Sequence, residues 1–202
     1  MALTGAHAPG ATPLTEDDLE GLRIPSVKTQ GELNEAEAAN IIRGQQWALS
    51  TRFARLPEML SDDFVRRLHS EMFGEVWKWA GDYRLTDPNI GVPHQLIRER
   101  LRNVYDDARA WLEHQTYPSE EFAVRLHYRL VAVHPFRNGN GRHARMVAHV
   151  VLVRHFKQEP LPWGESALHA HDATRKAYID ALIAADLHDF GPLMTLARSR
   201  SR

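Results

Sequence analysis

The sequence predicts an all-α protein interrupted by one hairpin-like insertion. Three observations carry this. Apolar residues recur at three- and four-residue spacing in several separate windows. Cap-forming residues open several of those windows. Turn residues concentrate in one stretch, WKWAGDYRLTDPNIGVP, which spans Trp77 to Pro93. At 202 residues, 43% hydrophobic and 25% charged, the chain reads as an ordinary globular protein with one domain and a small appendage.

The elements follow in order. Residues 1–33 begin rich in Ala, Gly, Pro, Thr and acids, and are expected to form a mobile N-terminal arm. A helix is expected over 34–58, with Asn34 as its cap, Glu37 completing a capping box, and Ala38, Ile41 and Ile42 marking its apolar stripe. The main domain is expected over 59–198. Its first helix opens at Ser61, with Asp62 and Asp63 in the positive first turn and Phe64, Leu68 and Met72 on one face. After the turn-rich insertion, Ile97, Leu101, Val104, Ala108 and Trp111 restore the helical period. Ser119 is expected to cap the next helix, which Phe122, Leu126 and Leu130 carry to Val133. The segment Met146 to Val153 is apolar nearly all round and belongs at the centre of the core. Two more helices are expected near Leu168 to Ala185 and Phe190 to Leu196.

Composition removes several classes of function. The formal net charge is −1, which marks neither a nucleic-acid nor a membrane-surface binder. There are no cysteines, so disulfides, cysteine nucleophiles and cysteine-held metals are excluded. The start of the chain lacks a basic region followed by an apolar run, and no membrane-length apolar stretch occurs, so the cytoplasm is the expected compartment. Twelve histidines invite a metal site, but the tightest pair, His169 and His171, lacks a third ligand at helical spacing and reads as exposed helix-end histidines.

The chemistry concentrates between two apolar helices, in His134-Pro135-Phe136-Arg137-Asn138-Gly139-Asn140-Gly141-Arg142. Gly139 and Gly141 permit unusual dihedrals and close backbone approach where a helix begins. The opening amides of a helix lack partners and its dipole is positive there, which makes an anion site. Arg142 and Arg145 are three apart and share a helix face, so both can flank one phosphate chain. Asn140 adds an amide, and His134 is the loop's group suited to general base work near neutral pH. Phosphoryl or nucleotidyl transfer needs mainly these parts. A plain reading also fits: Asn138 caps a helix, the glycines make a turn, and the arginines are solvated.

His-Pro-Phe-x-x-Gly-Asn-Gly-Arg-x-x-Arg, from His134 to Arg145, resembles the signature of the Fic family. Trp-x-x-Ala-Gly-x-x-Arg, from Trp77 to Arg84, resembles the family's pattern upstream of its flap. GELNEAEAANI is similar to the bacterial subgroup labelled mobile mystery protein B. The resemblance implies the all-α Fic-fold helical bundle with a small β-hairpin flap. It also implies a protein adenylyltransferase, which moves AMP from ATP onto a Ser, Thr or Tyr hydroxyl of a target protein. On this resemblance, His134 deprotonates the hydroxyl and Phe136 anchors the loop. The segment Gly139, Asn140 and Gly141, with Arg142, holds phosphate, and Arg145 reaches the γ-phosphate. Arg84, Leu85, Thr86, Ile90, Gly91 and Val92 form the flap that docks the target, and Tyr178 falls near the nucleotide base.

One position departs from the family pattern. Asn138 stands where most active members carry Asp or Glu for Mg²⁺, so its metal contact is a neutral amide oxygen. The alternatives are a catalytically weak scaffold that binds nucleotide or a partner, and transfer of another phosphate-bearing group. Many members block the γ-phosphate site with a glutamate. No segment here matches the usual pattern, and Glu35 and Glu37 are the nearest candidates, with an antitoxin partner as the other route to inhibition.

Overall fold

The computed structural model describes residues 20–50, 56–163 and 172–200. Among them run eight α-helices: α1 (Gln30–Ser50), α2 (Leu56–Met59), α3 (Asp62–Phe73), α4 (Ile97–Glu113), α5 (Ser119–Val133), α6 (Asn140–Val150), α7 (Asp172–Asp186) and α8 (Gly191–Arg198). A 3₁₀ turn, His94–Leu96, precedes α4, and α6 continues as a π-helical turn, Val151–Phe156. No helix among the described residues is long and apolar enough to cross a membrane.

The N-terminal segment departs from expectation. The helix begins at Gln30, because a capping box forms earlier than Asn34. The Glu32 amide donates to Thr29 Oγ1 at 3.2 Å, and Glu32 Oε2 accepts from the Thr29 amide at 3.0 Å. Glu37 is thereby freed from capping. The described part of the helix runs to Ser50, residues 51–55 lie outside the described residues, and α2 follows from Leu56. Part of the expected mobile arm is tied down. The Arg23 amide donates to the Val76 carbonyl and the Lys78 amide to the Gly21 carbonyl, each at 2.8 Å. Residues 1–19 lie outside the described residues, as do His169 and His171.

Helix α1 packs along α3 at close range. A Cβ on Gly44 would stand 2.8 Å from Met72 Cα, so a larger residue would force the helices apart. Asn40 fastens the end of α3: its Nδ2 donates to the Glu71 carbonyl and its Oδ1 accepts from the Glu75 amide, both at 2.9 Å. The Ser61 cap forms as expected, accepting from the Phe64 amide at 3.2 Å. The next cap is displaced by one residue. Pro118 occupies the capping position, and Ser119 Oγ bonds Gln158 Oε1 instead.

Helices α5 and α6 form the centre. One side of the pair, through Phe122, Leu126, Leu130 and Val147, joins Phe64, Leu68, Phe73 and Trp77 in the main core. The other side, through Ala123, Val124, Ala148 and Leu152, packs on Ala181, Ala185, Phe190 and Leu193 of the last two helices. The loop between α5 and α6 is thus held from both sides.

The insertion forms no β-hairpin. Residues 85–93 make bends, and the bridges among the described residues are two isolated ones, Leu22 with Trp77 and Tyr83 with Phe136. The two ends of the flap are instead fastened to the α5–α6 loop. The Arg84 amide donates to the Pro135 carbonyl at 3.0 Å, and the Val92 amide to the Val133 carbonyl at 3.3 Å.

Candidate active site

His134 ends α5 in the left-handed region, at φ 52° and ψ 59°. A non-glycine residue there is uncommon and signals a held conformation. The side chain is buried, with 7% of its surface exposed; the Val131 backbone lies near one ring nitrogen, and no other group among the described residues bonds the ring. Burial, and then the nearby Arg84 charge, push its pKa down to about 4. The imidazole is therefore neutral at working pH and has a free lone pair, as a general base requires.

The chain after His134 is shaped by its own side chains. Phe136 is fully buried and stacks on His69 with ring centroids 3.7 Å apart. Asn140, expected to hold phosphate, turns inward: its Oδ1 accepts from the Phe136 amide at 2.9 Å and its Nδ2 donates to the Phe136 carbonyl at 2.8 Å. Both ends of the amide are engaged, so this side chain fixes the loop's curvature. Gly139 supplies the positive φ, 77°, and a Cβ there would strike the Phe73 ring. Gly141 lies in the helix proper without positive φ. The amides that open α6, from Asn140 to Arg142, have no helical carbonyl to bond and lie at the positive end of the helix dipole, where an anion is stabilised.

Asn138 Oδ1 accepts from the Gly139 amide at 2.6 Å. No group of three or more metal-ligating side chains occurs among the described residues. A protein-built metal site does not fit this donor set. A single neutral oxygen fits Mg²⁺ only as a supplement to phosphate oxygens that arrive with a nucleotide.

Sequence reasoning passed over His69. It lies on the buried face of α3 between Val65 and Phe73 and is fully buried. Its Nδ1 accepts from the Gly81 amide at 3.0 Å, and its Nε2 donates to the Asn138 carbonyl at 3.1 Å. Burial holds it neutral. It joins the Ala80-Gly81 turn to the loop, which explains why two distant motifs occur together. A histidine inside an otherwise apolar stripe was the available signal.

Arg142 does not project freely. Its Nη1 meets Glu37 Oε2 at 2.5 Å, and its guanidinium lies over the Phe73 ring. Glu37 is itself buried, and its Oε1 accepts from Trp77 Nε1 at 2.7 Å. Glu35 is exposed on the same helix. Arg145 packs over Tyr178, 5.4 Å from the ring centroid, and no carboxylate pairs with it among the described residues. The Tyr178 hydroxyl meets His127 Nε2 at 3.0 Å.

Arg84 was expected in target docking, but its side chain is buried within the flap. Its Nε donates to the His134 carbonyl at 2.7 Å and its Nη1 to the Thr86 carbonyl at 2.8 Å; its Nη2 donates to the Val92 carbonyl. Asp87 Oδ1, 3.2 Å away, balances its charge. Gly91, at φ 97°, is required here, since a Cβ would sit 2.5 Å from His134 Cβ. The outward flap residues are Leu85 and Ile90, 72% and 53% exposed, with Thr86 also exposed and Val92 half-buried.

Comparison with known proteins gives consistent matches. A family model described as the Fic/DOC family matches residues 59–152. Protein adenylyltransferase fic-1 of Caenorhabditis elegans is 30% identical over 151 residues, 70% of this chain and 27% of that protein. The probable protein adenylyltransferase y4lH of Sinorhizobium fredii is 32% identical over 153 residues, 69% of this chain and 75% of that protein. A solved structure of C. elegans Fic-1 superposes with a TM-score of 0.63 at 25% identity, covering 87% of this chain and 50% of that one. The chain thus spans only about a quarter of the length of the worm relative.

Proposed function

The chain belongs to the Fic/DOC family, and from that premise we propose that it is a protein adenylyltransferase, an enzyme that moves AMP from ATP to a hydroxyl of another protein. The observation that carries this is the pairing of a buried, neutral His134 with an amide-and-arginine anion site across one short loop. In the reaction, the His134 ring takes the proton of the target hydroxyl. The hydroxyl oxygen attacks the α-phosphorus, the bond from that phosphorus to its bridging oxygen breaks, and pyrophosphate leaves. Proton removal is needed because a neutral hydroxyl is a poor nucleophile. The amides opening α6 and the Arg142 and Arg145 guanidiniums stabilise the charge on the phosphates. Asn138 would be the protein contact of a Mg²⁺ ion bound with the nucleotide, which would supply neutralisation of phosphate charge. The flap presents Leu85, Thr86 and Ile90 to an extended target segment.

Glu37 gives this site a built-in brake. A carboxylate on Arg142 competes with phosphate for the same guanidinium. The resemblance implied a block at Arg145; the carboxylate here engages Arg142 instead, and self-inhibition through it needs no antitoxin.

The test is labelling with ATP carrying a tagged α-phosphate, in a bacterial lysate and in the purified protein alone. The native chain is expected to label a hydroxyl side chain, and His134→Ala to lose roughly 10²-fold or more in rate while still binding ATP. Full labelling by His134→Ala would reject the mechanism.

A further inference from the structure

Outside the signature motif, another cation faces the same loop from α7. Arg175 lies one helical turn before Tyr178, so the two side chains share a face. Tyr178 shows where that face points. Its hydroxyl lies 3.5 Å from where a Cβ on Gly141 would stand, and its ring lies beneath the Arg145 guanidinium. Arg175 is partly buried, and its Nε has no hydrogen-bond partner among the described residues. The guanidiniums sense one another: burial first lowers the pKa of Arg145 and of Arg175, and neighbouring cations add to it, Arg142 and Arg175 at Arg145 and Arg142 at Arg175. Glu37 is the carboxylate that pairs with this group among the described residues, and it engages Arg142 alone. Like charges gathered in a partly buried place are costly unless an anion joins them.

We infer that Arg175 is a third cationic arm of the nucleotide site, which grips the terminal phosphate together with Arg145 and makes the site select a triphosphate over a monophosphate. This rests on the adenylyltransferase reading. The α6 amides take the phosphates nearest the loop, and the α7 side of the site then receives the far end of the chain. Guanidinium suits that role because its planar fork binds phosphate oxygens in pairs.

The experiment is calorimetric titration of the full chain with ATP and with AMP. It is run on the native protein and on Glu37→Gln, each with and without Arg175→Gln, and circular dichroism confirms folding. Arg175→Gln is expected to weaken ATP binding about tenfold, the usual scale of a charged phosphate contact, and to leave AMP binding unchanged. Arg175→Lys, which keeps the charge and loses the fork, is expected to lose an intermediate amount, and it carries the same test if the glutamine variant fails to fold. An unchanged ATP-to-AMP ratio overturns the inference and leaves the adenylyltransferase reading standing. Absence of nucleotide binding in both parents overturns that reading, and the inference with it.

Discussion

Arg84 donates a hydrogen bond from Nε to the backbone carbonyl of His134, so a flap residue holds the main chain of the proposed general base. The same guanidinium reaches the Thr86 and Val92 carbonyls, at the two ends of the flap. Flap position and His134 backbone conformation are therefore one mechanical unit. Arg84→Met removes these bonds together. Labelling rate is expected to fall roughly 10²-fold, because small misplacements of a reacting group carry that cost. The acid limb of the rate profile should also rise, since the Arg84 charge helps keep His134 deprotonated. An unchanged rate in a folded variant would show that the flap needs no such clamp.

Glu37→Gln isolates the charge of the proposed brake from its packing. The Trp77 hydrogen bond to Oε1 survives in the amide, and the carboxylate facing Arg142 is lost. Labelling and ATP affinity are each expected to rise roughly tenfold, the worth of freeing one charged phosphate contact. Glu35→Gln, at an exposed position, should change neither. Equal activity in Glu37→Gln and the native chain would make the pair a structural bridge only.

Acid stability follows from the buried histidines. His134 and His143 are pushed down to about 4, and His69 and His127 well below the ordinary range, in each case first by burial. The unfolded chain takes up protons on these rings near pH 6.5, whereas the folded chain does not. Stability is therefore complete above that value and falls as pH drops toward 4. Urea midpoints measured at several pH values in that window should decline steadily. A flat profile would mean the rings are charged or solvated in the fold.

Asn138→Asp tests the metal contact. A carboxylate beside incoming phosphates offers Mg²⁺ a charged oxygen in place of a neutral one. The Mg²⁺ concentration for half-maximal labelling is expected to fall. The same or a higher requirement would remove Asn138 from the metal's surroundings.

Much of this was legible in local pattern. The α3 stripe of Phe64, Leu68 and Met72, its Ser61 cap and the apolar character of α6 are all short-range signals, and each has its counterpart in the fold. The start of α1 differs from expectation because two neighbouring capping boxes are available, Thr29–Glu32 and Asn34–Glu37, and the first one forms. Side-chain direction was harder. Asn140 turns into its own loop, Arg84 turns under the flap, and Glu37 crosses to a residue far along the chain. Arg84 and Glu37 meet partners that only tertiary packing brings near, and Asn140 meets Phe136 only once the loop has curved back on itself. His69 escaped notice for a related reason, since a ring bonded at both nitrogens to distant backbone looks in sequence like an interruption of an apolar face.

The tight seating of α1 limits how the proposed Glu37 brake could be released. Gly44 lets that helix lie almost on the Met72 backbone, and Asn40 is stitched to both sides of the α3 terminus. Sliding or lifting the helix would strip Leu33 and Ala48 of their packing and orphan two backbone groups at once. Turning the Glu37 side chain about its own bonds disturbs only its contacts to Trp77 and Arg142. A nucleotide arriving at Arg142 thus meets a hinged latch on a fixed post, and the least costly way in is rotation of one carboxylate with the bundle left as it stands.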